Sequence, residues 1–503
     1  MAVGLRTRGR VLGAAALRRS LVGNLASLGL AVLLVQMLSA CSFLEKPDLA
    51  LDIPPAYRAG RGEALPPKLD WWRGFRAPEL TRFIEAAQTR NLDIAVAIAL
   101  IIQADAQSKI TGAPLLPAVT LTSTALRTRP SQTTGPGGTG GGGPSENQLF
   151  NAVLNASYEV DFWGKNRALS RAAQENAVAT RFNKEVVVLS TIVSVATAYF
   201  EVLAAQDELR VAHENLAASS RILTLIRQRF EAGTASQLDV AQQESLVATV
   251  RASIPPLDQI LRQNIATLAV LMACPPADLK VKGGSLARLG IPRVTPGLPS
   301  ELLFQRPDIR SAEATLASAN ASVESARAAF FPSITLTGQG GYESSLLKLL
   351  FTPQSALYQI AANLTQPLLD GFRLEGQLEF AQGQQLAALE SYRRSIISAF
   401  GDVERALIAV ADTAEQVRLQ ALAVASSRRA FELSETRLRE GTIDLVTLLQ
   451  TQQTLFIAEN QLVVDRLARF LAVLSLFQAL GGGWMPPGVA AGGAVTVDML
   501  PWR

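Results

Sequence analysis

Residues 165–232 contain neither proline nor glycine, an unbroken run of 68 residues. Nothing in it interrupts a backbone hydrogen-bond ladder, so it can continue as one α-helix about 100 Å long. A second stretch, from Gly371 to Glu440, also lacks proline. Its internal glycines, Gly376, Gly383 and Gly401, weaken a helix without ending it. Both runs stop at a Gly-Thr pair, Gly233-Thr234 and Gly441-Thr442, where glycine commonly terminates a helix. Each then continues into a return helix of about forty residues, typical of an αα-hairpin.

The two runs belong to an internal duplication. Residues 91–122 align without a gap on residues 306–337, and 11 of the 32 positions are identical. The shared elements are an Asp-Ile start, recurring alanines, and a Pro-x-x-Thr-Leu-Thr end beginning at Pro117 and Pro332. Further along, Gly164 of "DFWGKNR" falls on Gly371 of "LLDGFRL", and "RFEAGT" falls on "RLREGT". The offset shortens by eight between the prolines and these glycines, because only the first half carries "GPGGTGGGGPSEN" at residues 135–147. That insertion reads as a flexible loop; it lacks the terminal Gly-Lys-Ser/Thr of a phosphate-binding loop. The chain is therefore two copies of one long unit, assigned to residues 77–273 and 306–480. Residues 274–305 connect them, and residues 481–503 form a tail.

Each copy supplies two strands. They are expected at about residues 117–127 and 149–161, then at about 332–342 and 355–368. Phe150, Ala152, Leu154, Ala156, Tyr158 and Val160 alternate with Asn151, Val153, Asn155, Ser157, Glu159 and Asp161. Tyr358, Ile360, Ala362 and Leu364 alternate with Gln359, Ala361, Asn363 and Thr365. One face is apolar and the other mostly polar. This fits a soluble sheet with one wet face and equally a membrane strand between lipid and a watery lumen. The long helices are expected at residues 164–232 and 371–440, with Gly164 and Gly371 at the strand-to-helix junctions.

The amino terminus reads as a targeting signal. Arg6, Arg8, Arg10, Arg18 and Arg19 precede an apolar run ending in "LSAC". That box resembles a bacterial lipoprotein cleavage site. By this resemblance residues 1–40 are removed, the cut falls between Ala40 and Cys41, Cys41 is acylated, and residues 41–76 form a lipid-anchored linker in the outer membrane. Removing the five arginines takes the formal charge from +4 to −1, which argues against a nucleic-acid partner held by bulk charge. The other cysteine, Cys274, is left without an intramolecular partner. The lone histidine, His213, sits in a polar helical context and reads as a solvated surface residue.

Four strands per chain are too few to enclose a pore, and open edges cannot face lipid. Two chains would give a barrel filled by its own side chains, whereas three give twelve strands and room for a lumen. "LDWWRGFRAPEL", "RPDIRSAEATLASANASVESARAAFFPSITLTG", "RFEAGTASQLDVAQQES" and "LFQALGGGW" resemble the TolC-type outer-membrane efflux proteins of the NodT/OprM lipoprotein branch. The resemblance implies a mainly α fold with a β-barrel part. A homotrimer would build a twelve-strand transmembrane β-barrel, continuous with an α-helical periplasmic tunnel ringed by an equatorial belt. It also implies a passive exit duct, joined through a periplasmic adaptor to an inner-membrane transporter of the RND type. It implies no enzymatic activity and no cofactor.

The family commonly carries acidic residues beside the periplasmic tip. Those positions here are Thr447 and Gln450, which are uncharged. Asp444 lies one turn earlier, and Asp239 is the first-half counterpart of Thr447. Asp444 reads as a helix N-cap or as a lumenal ring; Asp239 reads as a lumenal ring or a solvated outer residue. Two other functions compete with the efflux duct. One is the outer-membrane channel of a type I protein secretion system. The other is a lipid-anchored periplasmic coiled-coil adaptor with no pore, which would have no need of the four alternating strands.

Overall fold

The computed structural model describes residues 57–58, 67–129, 146–293 and 299–484. Ala40, Cys41, residues 135–145 of the glycine-rich insertion and residues 485–503 of the tail lie outside the described residues. The first repeat runs α1 (Pro78–Arg90), α2 (Leu92–Gly112), β1 (Ala118–Thr128), β2 (Asn147–Val160), α3 (Lys165–Glu231) and α4 (Gln237–Leu271). The connecting segment ends in α5 (Pro299–Gln305), and the second repeat runs α6 (Pro307–Ala328), β3 (Ser333–Ser344), β4 (Ala356–Thr365), α7 (Arg373–Arg439) and α8 (Leu445–Ala479). The two long helices have 67 residues each, about 100 Å. Their return helices have 35 each, shorter than the sequence suggests because the turns and connecting segments take up the remainder.

The hairpin tips are built alike. Gly233 and Gly441 both sit at φ +74, a left-handed conformation that glycine adopts without strain. The amide of Thr234 then donates to Arg229 O at 2.8 Å, and that of Thr442 to Arg437 O at 2.9 Å. This closes the last turn of each long helix on its own carbonyls. α7 passes straight through Gly376, Gly383 and Gly401. α4 is helical across Pro255 and Pro256. Both prolines are exposed, so the carbonyls they leave without helical donors can be met by water.

The helices pack in a fixed lateral order. Beside the sheet the neighbours run α2, α3, α6, α7; toward the tip they run α4, α3, α8, α7. One side of every layer therefore ends on α7, and the other on α2 or α4. The sheet repeats this arrangement, with order β1-β2-β3-β4, all antiparallel, and β1 and β4 at its edges.

Between sheet and tip lies the main core. The 3-10 turn Trp71–Phe75 inserts its aromatics between α3 and α8. Trp71 stacks on Phe477 at 4.4 Å, and Phe75 meets Phe200 at 5.1 Å. Burying a side chain such as Phe75 contributes about 2 kcal/mol. Ile192, Val195, Ala196 and Phe200 of α3 belong to this core too.

Candidate functional site

The strand register sorts the sheet into two faces. Val119, Ala156, Gly338 and Ile360 form one cross-strand row, and Leu121, Leu154, Gly340 and Tyr358 the next. This face carries large apolar groups in the open: Leu121 is 71% exposed, Tyr358 86% and Ile360 84%. The opposite face has the rows Thr120, Asn155, Gln339, Gln359 and Thr124, Asn151, Glu343. Its side chains bond along the wall. Gln339 Nε2 donates to Gln359 Oε1 at 3.2 Å, and Asn155 Nδ2 to Thr122 Oγ1 at 3.2 Å. Gly341 lies where β3 crowds β2; a Cβ there would stand 2.2 Å from Ala152 O. An exposed apolar face backed by a hydrogen-bonded polar one is the make-up of a barrel wall between hydrocarbon and water.

The rim nearest the helices is aromatic. Trp163 stacks on Phe331 at 4.6 Å and donates its indole N–H to Pro332 O at 2.8 Å, tying the two strand–helix junctions together. Phe162, Leu368, Leu369 and Phe372 are exposed around it. Pro117 and Pro332 stand immediately before β1 and β3. Gly164, at φ +79, starts α3. Gly371 does not start α7: Phe372, also left-handed at φ 65, intervenes, and the helix begins at Arg373. The cause is the capping aspartate. In the first repeat Asp161 accepts from Asn166 N and Arg167 N; in the second Asp370, two positions later in the alignment, accepts from Leu374 N at 3.0 Å.

At the tip both candidate aspartates cap helices. Asp444 precedes α8, and its Oδ1 accepts from Thr447 N at 2.9 Å. The bond from Thr447 holds its carboxyl below the ordinary aspartate value. Asp239 closes a capping box: Ser236 N and Oγ donate to its Oδ2 at 2.7 and 2.9 Å, and Asp239 N donates to Ser236 Oγ at 3.2 Å. The Ser-x-x-Asp spacing at the helix start was the available signal for that role. Thr447 and Gln450 are exposed on the next turn of α8. Beside them Leu238, Gln242 and Ser245 of α4 face Val446, Leu449 and Gln453 of α8 across an open groove of about 560 Å³.

Sequence reasoning missed the contacts that lock the repeats together here. Arg229 donates to Leu438 O at 2.7 Å, reaching from α3 to the last turn of α7. Gln452 of α8 donates to Ser219 Oγ at 2.7 Å and Asn215 Oδ1 at 3.1 Å of α3. Such side chains are unremarkable polar helix residues until the packing is known. His213 is exposed.

The outer membrane efflux protein family profile matches residues 83–273 and 298–482, one block in each repeat. The "Pyoverdine export outer membrane protein OpmQ" of Pseudomonas aeruginosa is 39% identical over 455 residues, covering 89% of this chain and 95% of the relative. The "Toluene efflux pump outer membrane protein TtgF" of Pseudomonas putida is 33% identical, covering 83% and 86%. Among solved structures, the Neisseria gonorrhoeae MtrE outer membrane channel superposes with a TM-score of 0.77 at 28% identity, over 87% of this chain and 97% of that one. The Campylobacter jejuni CmeC outer membrane channel gives 0.80 at 25% identity, over 87% and 94%. With both repeats matched and the two-faced sheet in place, this chain belongs to the outer membrane efflux protein family and is an outer-membrane channel protein of efflux.

Proposed function

We propose that three copies close into one conduit, and that this conduit is the passive exit duct of a tripartite pump. The observation that carries the reading is the shared open side at every level. The sheet ends on β4 and β1; the helical layers end on α7 at one side and on α2 or α4 at the other. Joining β4 to β1 of the next copy brings α7 against that copy's α2 above and α4 below in one movement. The uncovered sides are apolar. Ile98, Leu100 and Ile102 of α2 are exposed, as are Phe380, Leu386 and Ile397 of α7, and burial between copies would remove them from water.

On this reading the apolar sheet face meets lipid, and the hydroxyl- and amide-rich face lines the lumen. Cys41 carries lipid, an adaptor meets the helical tip near the α4–α8 groove, and an RND-type transporter supplies the energy. A wall of Thr, Asn, Gln and Ser selects weakly among solutes, so cargo choice belongs to the transporter. The relatives named for pyoverdine and for toluene are consistent with one such wall serving dissimilar cargoes.

Asp239, Asp444, Thr447 and Gln450 are the proposed lining of the closed tip. Threefold symmetry turns each aspartate into a ring of three while one oxygen of each serves its cap. The test is single-channel recording of the purified protein in planar bilayers. Trimers with a stable conductance are expected, and Asp239→Ala or Asp444→Ala should raise it. Unchanged conductance in both variants removes aspartate rings from the reading, and no conductance at all removes the duct.

A further inference from the structure

Both repeats send their strands away from the helices and back, so the end of β1 and the start of β2 lie at the same outer end of the sheet as the β3–β4 connection. The two connections differ in character. The first is the glycine-rich insertion; its base is tied by an ion pair between Arg127 and Glu146. The second, residues 345–355, reads "SLLKLLFTPQS". Leu346, Leu347, Leu349 and Phe351 are exposed, Phe351 by 73%.

The loop is placed on one side of the wall. Tyr342 shares its row with Ala152 and Ala356, on the apolar face. Phe351 packs edge-on against Tyr342 at 5.7 Å. The loop is therefore continuous with the apolar face and not with the polar one.

Part of its backbone is also satisfied within the loop. Leu349 O accepts from Thr352 N at 3.1 Å, Thr352 Oγ1 at 2.8 Å and Ser355 Oγ at 2.8 Å. Leu349 N and Leu350 N donate to Leu346 O and Leu347 O, Leu346 N donates to Ser344 Oγ, and Pro353 has no N–H to satisfy. Each group met internally lowers the cost of bringing this part of the backbone toward hydrocarbon. Among the leucines stands a single cation, Lys348, exposed, without an ion pair among the described residues, and with no acid anywhere in the loop. Exposed leucines and a phenylalanine around an unpaired cation match an anionic, multiply acylated lipid.

We propose that this loop is a lipid site: its leucines and Phe351 sit among the acyl chains of the outer leaflet, and Lys348 pairs with the phosphate of a phosphorylated glycolipid. The proposal rests on the barrel reading above, and its test separates the two. The full chain carrying Cys274→Ser, reconstituted in vesicles containing phosphorylated lipid A, is spin-labelled at Leu347→Cys or, as a reference in mid-strand, at Ile360→Cys. Both labels are expected to be more accessible to oxygen than to a water-soluble nickel chelate. A Leu347 label in water beside an Ile360 label in lipid overturns the loop site. So does a Leu347 label shielded from both probes, which would mean a neighbouring chain covers it. Both labels in water overturn the barrel itself. For the headgroup, retention of lipid A by detergent-purified protein is measured by mass spectrometry. Lys348→Gln should lower retention of the phosphorylated form about fivefold and leave the dephosphorylated form unchanged. Equal retention of both forms by the unsubstituted protein overturns the phosphate pairing.

Discussion

The two repeats match most closely where they build the tunnel and diverge where their surroundings differ. Helix lengths agree to the residue in both hairpins, and both tips close on a left-handed glycine followed by threonine. The solutions differ at the foot of each return helix. Asn91 caps α2 and donates its Nδ2 to Leu271 O at 2.8 Å, holding the end of α4. Arg306, at the aligned position, donates to Ala479 O at 3.2 Å, holding the end of α8, and also pairs with Asp308 and Asp402. One neutral amide and one guanidinium network do the same structural work. What the duplication retained was a geometric task, the tying of a helix end to the next hairpin, and the chemistry was free to change.

Breaking the closure should have the largest effect. A proline in either edge strand, Leu121→Pro in β1 or Ile360→Pro in β4, disrupts an edge that the neighbouring copy must pair with. Complete loss of the trimer on an unheated gel is expected from both. Loss from one alone would mean that the two edges do not meet each other.

Next come the two helix-end ties. Arg306→Ala should cost about 3 kcal/mol, the low end for breaking a buried pair, because Asp308 and Asp402 keep 37% and 35% of their side-chain surface in water. Asn91→Ala should cost about 1.5 kcal/mol, the worth of a cap and one further hydrogen bond. Thermal unfolding of the two variants measures the difference. Equal losses would mean that the charge network adds nothing to the tie.

The smallest effect is at the tip. Because Asp444 titrates below its ordinary value of 3.8 in the folded chain, its cap is fully present above that value and is lost as pH falls through the lower folded value. The protection factor of the Thr447 amide, its exchange relative to the unstructured rate at the same pH, should therefore fall on strong acidification, and Asp444→Ala should lower it at neutral pH as well. No difference between variant and parent at neutral pH would remove the cap from the account.

Much of this was legible in the sequence. The absence of breakers gave the long helices, and strict alternation gave the faces of β2 and β4. The duplication let each half serve as a check on the other. The rest depends on packing and on which local partner a side chain takes. The expected return helix takes in Pro255 and Pro256, and it is packing along α3 that carries α4 through them. The start of α7 depends on which neighbouring aspartate reaches the free amides, and a two-position shift of that residue moved the helix start beyond Gly371. Asp239 reads as a lumenal ring or a solvated outer residue, although its bond to Ser236 is local and the Ser-x-x-Asp spacing points to it.

The unpaired borders of the β1-β2-β3-β4 sheet constrain how such a conduit is made. A single copy arriving alone in the bilayer would strand two rows of amides and carbonyls in a solvent that offers no hydrogen bonds. On the three-copy reading, association cannot be postponed until after insertion. The copies must meet in the periplasm or at the membrane surface, and entry into the bilayer and closure of the ring become one event.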